Sequence, residues 1–259
     1  MDKERLTSHL KGEEEYAIGS MVVDLARQAW DHNRPQTTRF LDPYERRVAQ
    51  SVLAGIPEVG YLTFGGYKQA ERARMVIYPQ FFMTEHIESP IAVLQAVGSL
   101  KGASHRDFLG SILGTGIKRD VVGDIIVTDD GCQAVVSAEI VDYLLTHWNQ
   151  VGPHSIQLEV IDEEQLAVEP ERIKEIRSTV ASLRVDAVAA AGYGTSRTKM
   201  AREIKAERLK VNWKVISDPA HPVEEGDILS LRGRGRLVVQ EVHGKTRKGR
   251  INILLHRYY

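Results

Sequence analysis

The stretch TSRTKMAREIKAERLKVNWK, residues 195–214, holds seven of the chain's 34 lysines and arginines. With Ile204 set at zero and about 100° added per residue, Met200 and Ala201 fall beside it as a stripe to be buried. Lys199, Arg202 and Lys205 then share one exposed flank. Glu203 and Glu207 take the remaining sector, within reach of Lys199 and Lys210 respectively. Cations gathered on one flank, with Arg197 in the first turn, suit a phosphate backbone, because each neutralised phosphate releases condensed counterions. An acidic protein or a merely solvated face would fit the same pattern. Trp213 follows Asn212 where a tight two-residue turn would favour glycine. Its ring either packs against Leu209 or Val215, or stays out to stack on a base or fill a partner's pocket.

The elements that must position these side chains read as follows. TVASLRVDAVAAAGYG predicts a helix ending at Gly192, TSRTKMAREIKAERL a second helix capped by Thr195 or Ser196 and stopping before Leu209, and KVNWKVI a short strand pair or turn. The chain then alternates into strands with glycine- and arginine-rich bends. Upstream, GSMVVDLARQAW and DPYERRVAQSVLAGI have helical spacing, the second with Asp42 as cap and Pro43 in the first turn. The first 80 or so residues are therefore expected to be helices joined by loops. ARMVIYPQFF and PIAVLQAVG predict strands, SHRDFLGSILGTGI a helix capped by Ser104, and DIIVTDDGCQAVVSA a hairpin turned at Asp130-Gly131. AEIVDYLLTHWNQV predicts a helix and SIQLEVI a strand. Strand, helix, strand, strand, helix, strand is the ferredoxin-like order that many RNA-binding modules use. Residues 162–178, DEEQLAVEPERIKEIRS, predict a connector that runs into a helix.

The net charge of −1 conceals an asymmetry: residues 178–259 carry 16 Lys and Arg against 8 Asp and Glu, leaving 18 against 27 for the rest. A basic third joined to an acidic two-thirds is the footprint of one polyanion-binding module. The single cysteine, Cys132, cannot form an internal disulfide or a multi-thiolate metal site, and the first residues lack a signal-peptide core. A reducing compartment, the cytoplasm, is expected, with no membrane span.

SLRVDAVAAAGYGTSRTKMAREIKAERLKVNWKVISDPAHPVEEGDILSL resembles an S4 RNA-binding domain: Leu183-Arg184-Val185-Asp186, Ser196-Arg197, Val211-Asn212 with Lys214, and Gly226-Asp227 stand where that pattern wants them. The continuation, RGRGRLVV and GKTRKGRINI, resembles the extension of YlmH-type proteins, as do HRDFLGSILGTGIKRDVVGDIIV, FGGYKQAERARMVIYP and, more weakly, FLDPYERRV. Trp213 in place of glycine is similar to the cyanobacterial and plastid branch, the photosystem II S4 domain proteins. The resemblance implies an α+β chain of three domains. These are a mainly helical N-terminal domain over 1–80, a ferredoxin-like (RRM-like) RNA-binding domain over 81–170, and a C-terminal S4 (αL-type) domain with a β extension over 178–259. It implies binding of 23S rRNA and peptidyl-tRNA on the large ribosomal subunit, in ribosome-associated quality control or translation rescue, with room for a protein partner. The alternative is a photosystem II-related assembly or regulatory protein acting through RNA or an acidic protein. The RNA contacts it implies are Arg184, Ser196, Arg197, Lys199, Arg202, Lys205, Arg208, Lys210, Trp213 and Lys214. To these the extension adds Arg232, Arg234, Arg236, Lys245, Arg247, Lys248 and Arg250. His105, Arg106, Lys118 and Arg119, at the ends of one predicted helix, form either a second RNA surface or a structural set with His105 as cap and Asp107 holding Arg106.

Catalytic readings fail on spacing. His105-Arg106-Asp107 has Ile112 where a kinase loop needs asparagine, and HGKT at 243–246 has Val239 where a phosphate loop needs glycine. GRGRLVV lacks the aspartate of a pseudouridine synthase, and nine scattered histidines show no metal-ligand spacing. No enzyme activity, cofactor or metal is expected.

Overall fold

A computed structural model describes residues 1–168 and 172–258. The chain divides into two compact units, Met1–Val168 and the remainder.

The first unit begins with helices α1 (Lys3–Thr7) and α2 (Glu13–His32), strand β1 (Gln36–Thr37) and helix α3 (Pro43–Leu53). Asp42 caps α3 in a reciprocal box with Glu45, and Pro43 occupies the first turn, where its missing N–H costs nothing. Strands β2 (Val59–Phe64) and β3 (Arg74–Pro79) follow, and β1-β3-β2 form a small antiparallel sheet. The buried faces of α2 (Val22, Ala26) and α3 (Ala49, Val52) share one core with Met75 and Ile77 of β3. The N-terminal region is thus helical but not only helices and loops. Short strand β2 has weak local signal, and pairing with β3 defines it.

Strand β4 (Ile91–Gly98), helix α4 (His105–Gly114), strands β5 (Val122–Thr128) and β6 (Gly131–Ser137), helix α5 (Val141–His147) and strands β7 (Gln150–Val151) and β8 (His154–Ile161) complete the unit. The sheet order β5-β6-β4-β8-β7, antiparallel throughout, contains the ferredoxin-like arrangement that the strand and helix order predicts. Leu94, Ala96, Cys132, Ala134 and Val136 point to one side and pack under Phe108, Ile112 and Leu144 of the helices. The hairpin turn is one residue earlier than expected: Thr128 pairs with Gly131, so Asp129 and Asp130 form the loop. Gly131 itself lies against β4, where a Cβ would stand 1.8 Å from the Ala96 carbonyl oxygen.

Polar groups stitch β3 and the loop before it to β5. Asp124 accepts hydrogen bonds from the Tyr67 hydroxyl (2.8 Å) and the backbone N–H groups of Glu71 (2.7 Å) and Arg72 (3.1 Å). Arg72 donates to the carbonyl oxygens of Val122 (3.0 Å) and Phe40 (3.1 Å). Buried Arg74 reaches the Thr38 and Pro90 carbonyls and Glu139 (2.8, 2.9 and 2.7 Å). The segments FGGYKQAERARMVIYP and HRDFLGSILGTGIKRDVVGDIIV are therefore the two sides of one seam.

The second unit is strand β9 (Ile173–Val180), helices α6 (Val185–Tyr193) and α7 (Arg197–Lys205), and strands β10 (Leu209–Val211), β11 (Lys214–Val215), β12 (Ile228–Leu231), β13 (Gly235–Lys245) and β14 (Ile251–Tyr258). They form one antiparallel sheet, β11-β10-β12-β13-β14-β9, with the helices packed on it through a single core. Residues 173–178, expected in a helix, are strand. The local Glu and Arg spacing suits a helix, but eight register pairs with β14 override it. Residues 169–171 of that expected connector lie outside the described residues. Helix α6 ends at Tyr193 rather than Gly192, with Gly194 as its left-handed cap (φ 62°).

Gly131→Ala is expected to cost about 3 kcal/mol, because the obstacle is backbone and cannot swing away. Gly110→Ala, whose Cβ meets nothing within 4 Å, is expected to gain about 0.5–1 kcal/mol of helix propensity. Urea unfolding midpoints of the two variants, monitored by circular dichroism, check the pair.

Candidate nucleic-acid interface

Helix α6 is laid on β13 so closely that a Cβ on Gly192 would lie 2.2 Å from a Leu237 methyl. In the first turn of α6, Asp186 is buried (4% exposed), and its carboxylate is gripped by two arginines: Arg184 Nη2 at 3.1 Å and Arg197 Nε at 3.0 Å. Burial alone would raise its pKa, but the hydrogen bonds and charges of Arg184 and Arg197 outweigh that and hold the carboxyl below its ordinary value. Arg184 precedes α6 and Arg197 opens α7, so one buried acid ties the two helix starts together. Both guanidinium groups keep an open side, their side chains being 40% and 50% exposed.

Ser196 caps α7 by accepting from the Lys199 N–H at 3.2 Å. Met200 and Ile204 are fully buried and Ala201 half-buried, as the helical spacing predicts, and Lys199, Arg202 and Lys205 are exposed. Glu203 pairs not with Lys199 but with Arg208 (3.2 Å), because the chain reverses at Glu207 (φ 57°) and brings Arg208 back beside the helix. The Arg208 carbonyl then accepts from the Arg232 N–H at 3.1 Å, which docks the β12–β13 turn on the end of α7. Lys199, Arg208, Arg232 and Arg234, with Thr195 and Glu203, line a notch of about 230 Å³ there. Arg234 also donates to the Tyr193 carbonyl at 3.3 Å.

Asn212 and Trp213 form the two-residue turn, both left-handed (φ 50° and 68°). The Asn212 amide donates to Asp227 at 2.7 Å and accepts from the Ile228 N–H at 3.0 Å, and this holds the turn against β12. Trp213, half-buried, occupies a backbone conformation that costs a non-glycine residue roughly 1 kcal/mol. Lys210 and Lys214 are exposed on the strands that flank it.

The remaining cations separate. Arg236 sits over the Tyr258 ring at 5.6 Å, and Arg250 is turned onto Thr179, with Nε 2.9 Å from its hydroxyl. Lys245, Arg247 and Lys248 are exposed at the β13–β14 hairpin tip. Ten residues of β13 part that tip from the Arg232–Arg234 turn, about 30 Å at the usual strand rise. The basic residues of the extension thus form two clusters, not one.

Around α4, the predicted set divides as well. Asp107 accepts from the Ser104 N–H and hydroxyl (2.8 and 2.7 Å), so Ser104 is the cap and Arg106 is not what Asp107 holds. Arg119 turns inward to the carbonyls of Val122 and Gly123, and burial together with the neighbouring Arg72 charge draws it down to about 10. Partial desolvation and then the Arg119 charge lower the His105 pKa from its ordinary value. Arg106 and Lys118 remain exposed. Among the described residues no group of three or more His, Cys, Asp and Glu could hold a metal, and no helix is long and apolar enough to cross a membrane.

Three family models match: "YlmH, N-terminal" over residues 17–81, "Putative RNA-binding domain in YlmH" over 91–165 and "S4 domain" over 183–229. The Ribosome-associated protein quality control protein P2 of Bacillus subtilis (strain 168) is 35% identical over 246 residues, covering 94% of this chain and 95% of that protein. A solved structure, "Cell division protein ylmH from Streptococcus pneumoniae", superposes with a TM-score of 0.54 at 21% identity, over 61% of this chain and 98% of that one, a likeness of fold.

Sequence reasoning counted Asp186 only as part of a motif and missed that it organises the interface. An acid framed by two arginines at the starts of consecutive helices is the signal that marks it. Asp186→Ala is expected to cost about 2 kcal/mol, the worth of charge-assisted hydrogen bonds to a buried carboxylate. Because the folded pKa is depressed, this contribution is present above the unfolded value of about 3.9 and is lost as pH falls through the lower folded value. Melting temperatures at neutral pH and across the acid range, wild type against variant, should converge at the acid end.

Proposed function

Because the chain belongs to the YlmH family of S4-domain proteins, we propose that it is a non-enzymatic RNA-binding factor of the ribosome. It works in the cytoplasm and grips structured RNA with α7 and the β12–β13 turn. The observation that carries this reading is the arrangement of Lys199, Arg202 and Lys205, exposed on one flank of α7 while Glu203 is turned to Arg208. That flank continues into the notch of Arg208, Arg232 and Arg234. Rigid helix-borne cations at fixed spacing match phosphates in a folded RNA, which proteins read by shape and backbone more than by base edges. Arg184 and Arg197 add their open guanidinium sides. Ser196 and Arg236 hold neighbouring elements in place, Lys210, Trp213 and Lys214 extend the surface at the turn, and the hairpin tip forms a separate contact.

The finer reading is that the RNA is 23S rRNA together with peptidyl-tRNA on the large subunit, and that the role is ribosome-associated quality control or translation rescue. The name of the Bacillus subtilis relative supports it, as does a match that spans nearly the whole of both chains.

Lys199→Glu, Arg202→Glu and Lys205→Glu combined leave the core untouched, unlike changes at Arg197, which would disturb Asp186. The triple variant is expected to lose co-sedimentation with large subunits at low salt. For single variants the slope of log affinity against log salt should become shallower by about one per cation removed. Trp213→Gly is expected to weaken binding about tenfold, the value of one base stack. Undiminished co-sedimentation of the triple variant would sink the reading.

A further inference from the structure

We infer that the ferredoxin-like part of the first unit carries a second binding site, a groove on its helical side that takes an unpaired stretch of RNA. The inference rests on the reading of the chain as an RNA-binding factor, but on none of the α7 cations.

The sheet side of this domain is closed to the usual mode of binding. RRM-type sheets stack bases on aromatic residues of their central strands. Here the central strands, IAVLQAVG and GCQAVVS, contain none. Their outward residues at one end, Ile91, Val93 and Val135, are buried under Phe40, Phe64 and Leu166. Further along, the chain after β8 folds back over them: Gln133 donates to the Gln165 carbonyl at 3.1 Å and accepts from the Ala167 N–H at 2.6 Å. Gln95 then donates to Glu159 at 3.2 Å, which places a carboxylate, repulsive to phosphate, on what surface remains.

The opposite side has what the sheet lacks. A groove of about 740 Å³ runs between α4 and the α5–β7–β8 connection, in the range of ligand clefts. Lys101 and Arg106 line it with His147 and His154; Asp107 also lines it, but its carboxylate is bonded to Ser104. The His147 ring is held by its Nδ1 contact to the Tyr143 carbonyl (2.8 Å) and by stacking on Tyr143, centroids 4.1 Å apart. Its Nε2 edge is thereby fixed in direction.

Gly110 and Gly114, one turn apart on α4, form part of the wall. A Cβ at either would meet nothing within 4 Å. Each glycine costs its helix about 1 kcal/mol relative to alanine, and no neighbour in the protein requires it. Bare backbone there lets a sugar-phosphate chain lie close to the helix, beside two cations and a fixed imidazole. Of the residues expected at a second RNA surface, only Arg106 lines the groove. His105, Lys118 and Arg119 do not.

The test uses the full chain with the α7 triple charge reversal, which weakens the S4 face and is common to every variant compared, and a fluorescently labelled short oligouridylate. The chain is expected to bind it. Lys101→Glu with Arg106→Glu should weaken binding at least about tenfold. Gly110→Leu with Gly114→Leu, which fills the groove without altering charge and favours the helix, should do the same. Gln95→Ala on the sheet side should change nothing. Circular dichroism confirms that each variant folds. If the triple-reversed chain does not bind the oligonucleotide, or binds it equally with both groove variants, the groove is not the site. That outcome leaves the ribosome reading standing, since co-sedimentation tests it separately.

Discussion

A buried carboxylate tolerates no vacancy among its partners, and Asp186 imposes that condition on the whole S4 surface. Its two partners lie at the starts of α6 and α7, so satisfying the acid sets where each helix begins and how they are aligned. Once α7 is placed, Met200 and Ile204 can only point into the core, and Lys199, Arg202 and Lys205 can only point out. The basic face is thus a consequence of an acid. The same two arginines that neutralise Asp186 keep their other sides in solvent, so one guanidinium group each holds the fold and stays open to a ligand.

The first unit shows the same economy with different chemistry. Arg72, Arg74 and Arg119 donate to carbonyl oxygens around β3 and β5, and Asp124 collects donors from the loop before β3. Arginine is suited to this because its fan of donors satisfies several carbonyls at once. The cost is that these cations are committed to the fold: Arg119 in particular is half-buried, with its Nη1 turned to backbone carbonyls. Charge counted along a sequence therefore overstates charge available to a ligand.

Distance then decides which of the available cations act together. Screening at physiological salt confines cooperation between exposed charges to about 8 Å. The α7 flank and the β12–β13 turn meet through the Arg208 and Arg232 backbones, whereas the hairpin tip lies about 30 Å along β13. The two clusters therefore act as separate charged patches.

Much of this was legible in the residues themselves. The faces of α7, the caps at Asp42, Ser104 and Ser196, the α4 helix and the ferredoxin-like strand order all follow from local rules: helical spacing, side-chain capping and turn chemistry act within a few residues. The resemblance carried on short motifs extended that reading to the family. What local rules could not supply depends on partners far away in sequence. Strand β9 exists because β14 lies beside it, 79 positions on at the pairing of Ile176 with Leu255. Arg119 faces inward because Val122 and Gly123 present carbonyls to it, and Glu203 prefers Arg208 because the chain reverses at Glu207. The closed sheet face and the open groove opposite it are of the same kind, since no strand records what will be folded over it. Sequence determined the helices, their polarity and most strands; tertiary structure decided the strands that exist by pairing, such as β9, and which charges remained for a ligand, because only packing assigns each donor its acceptor.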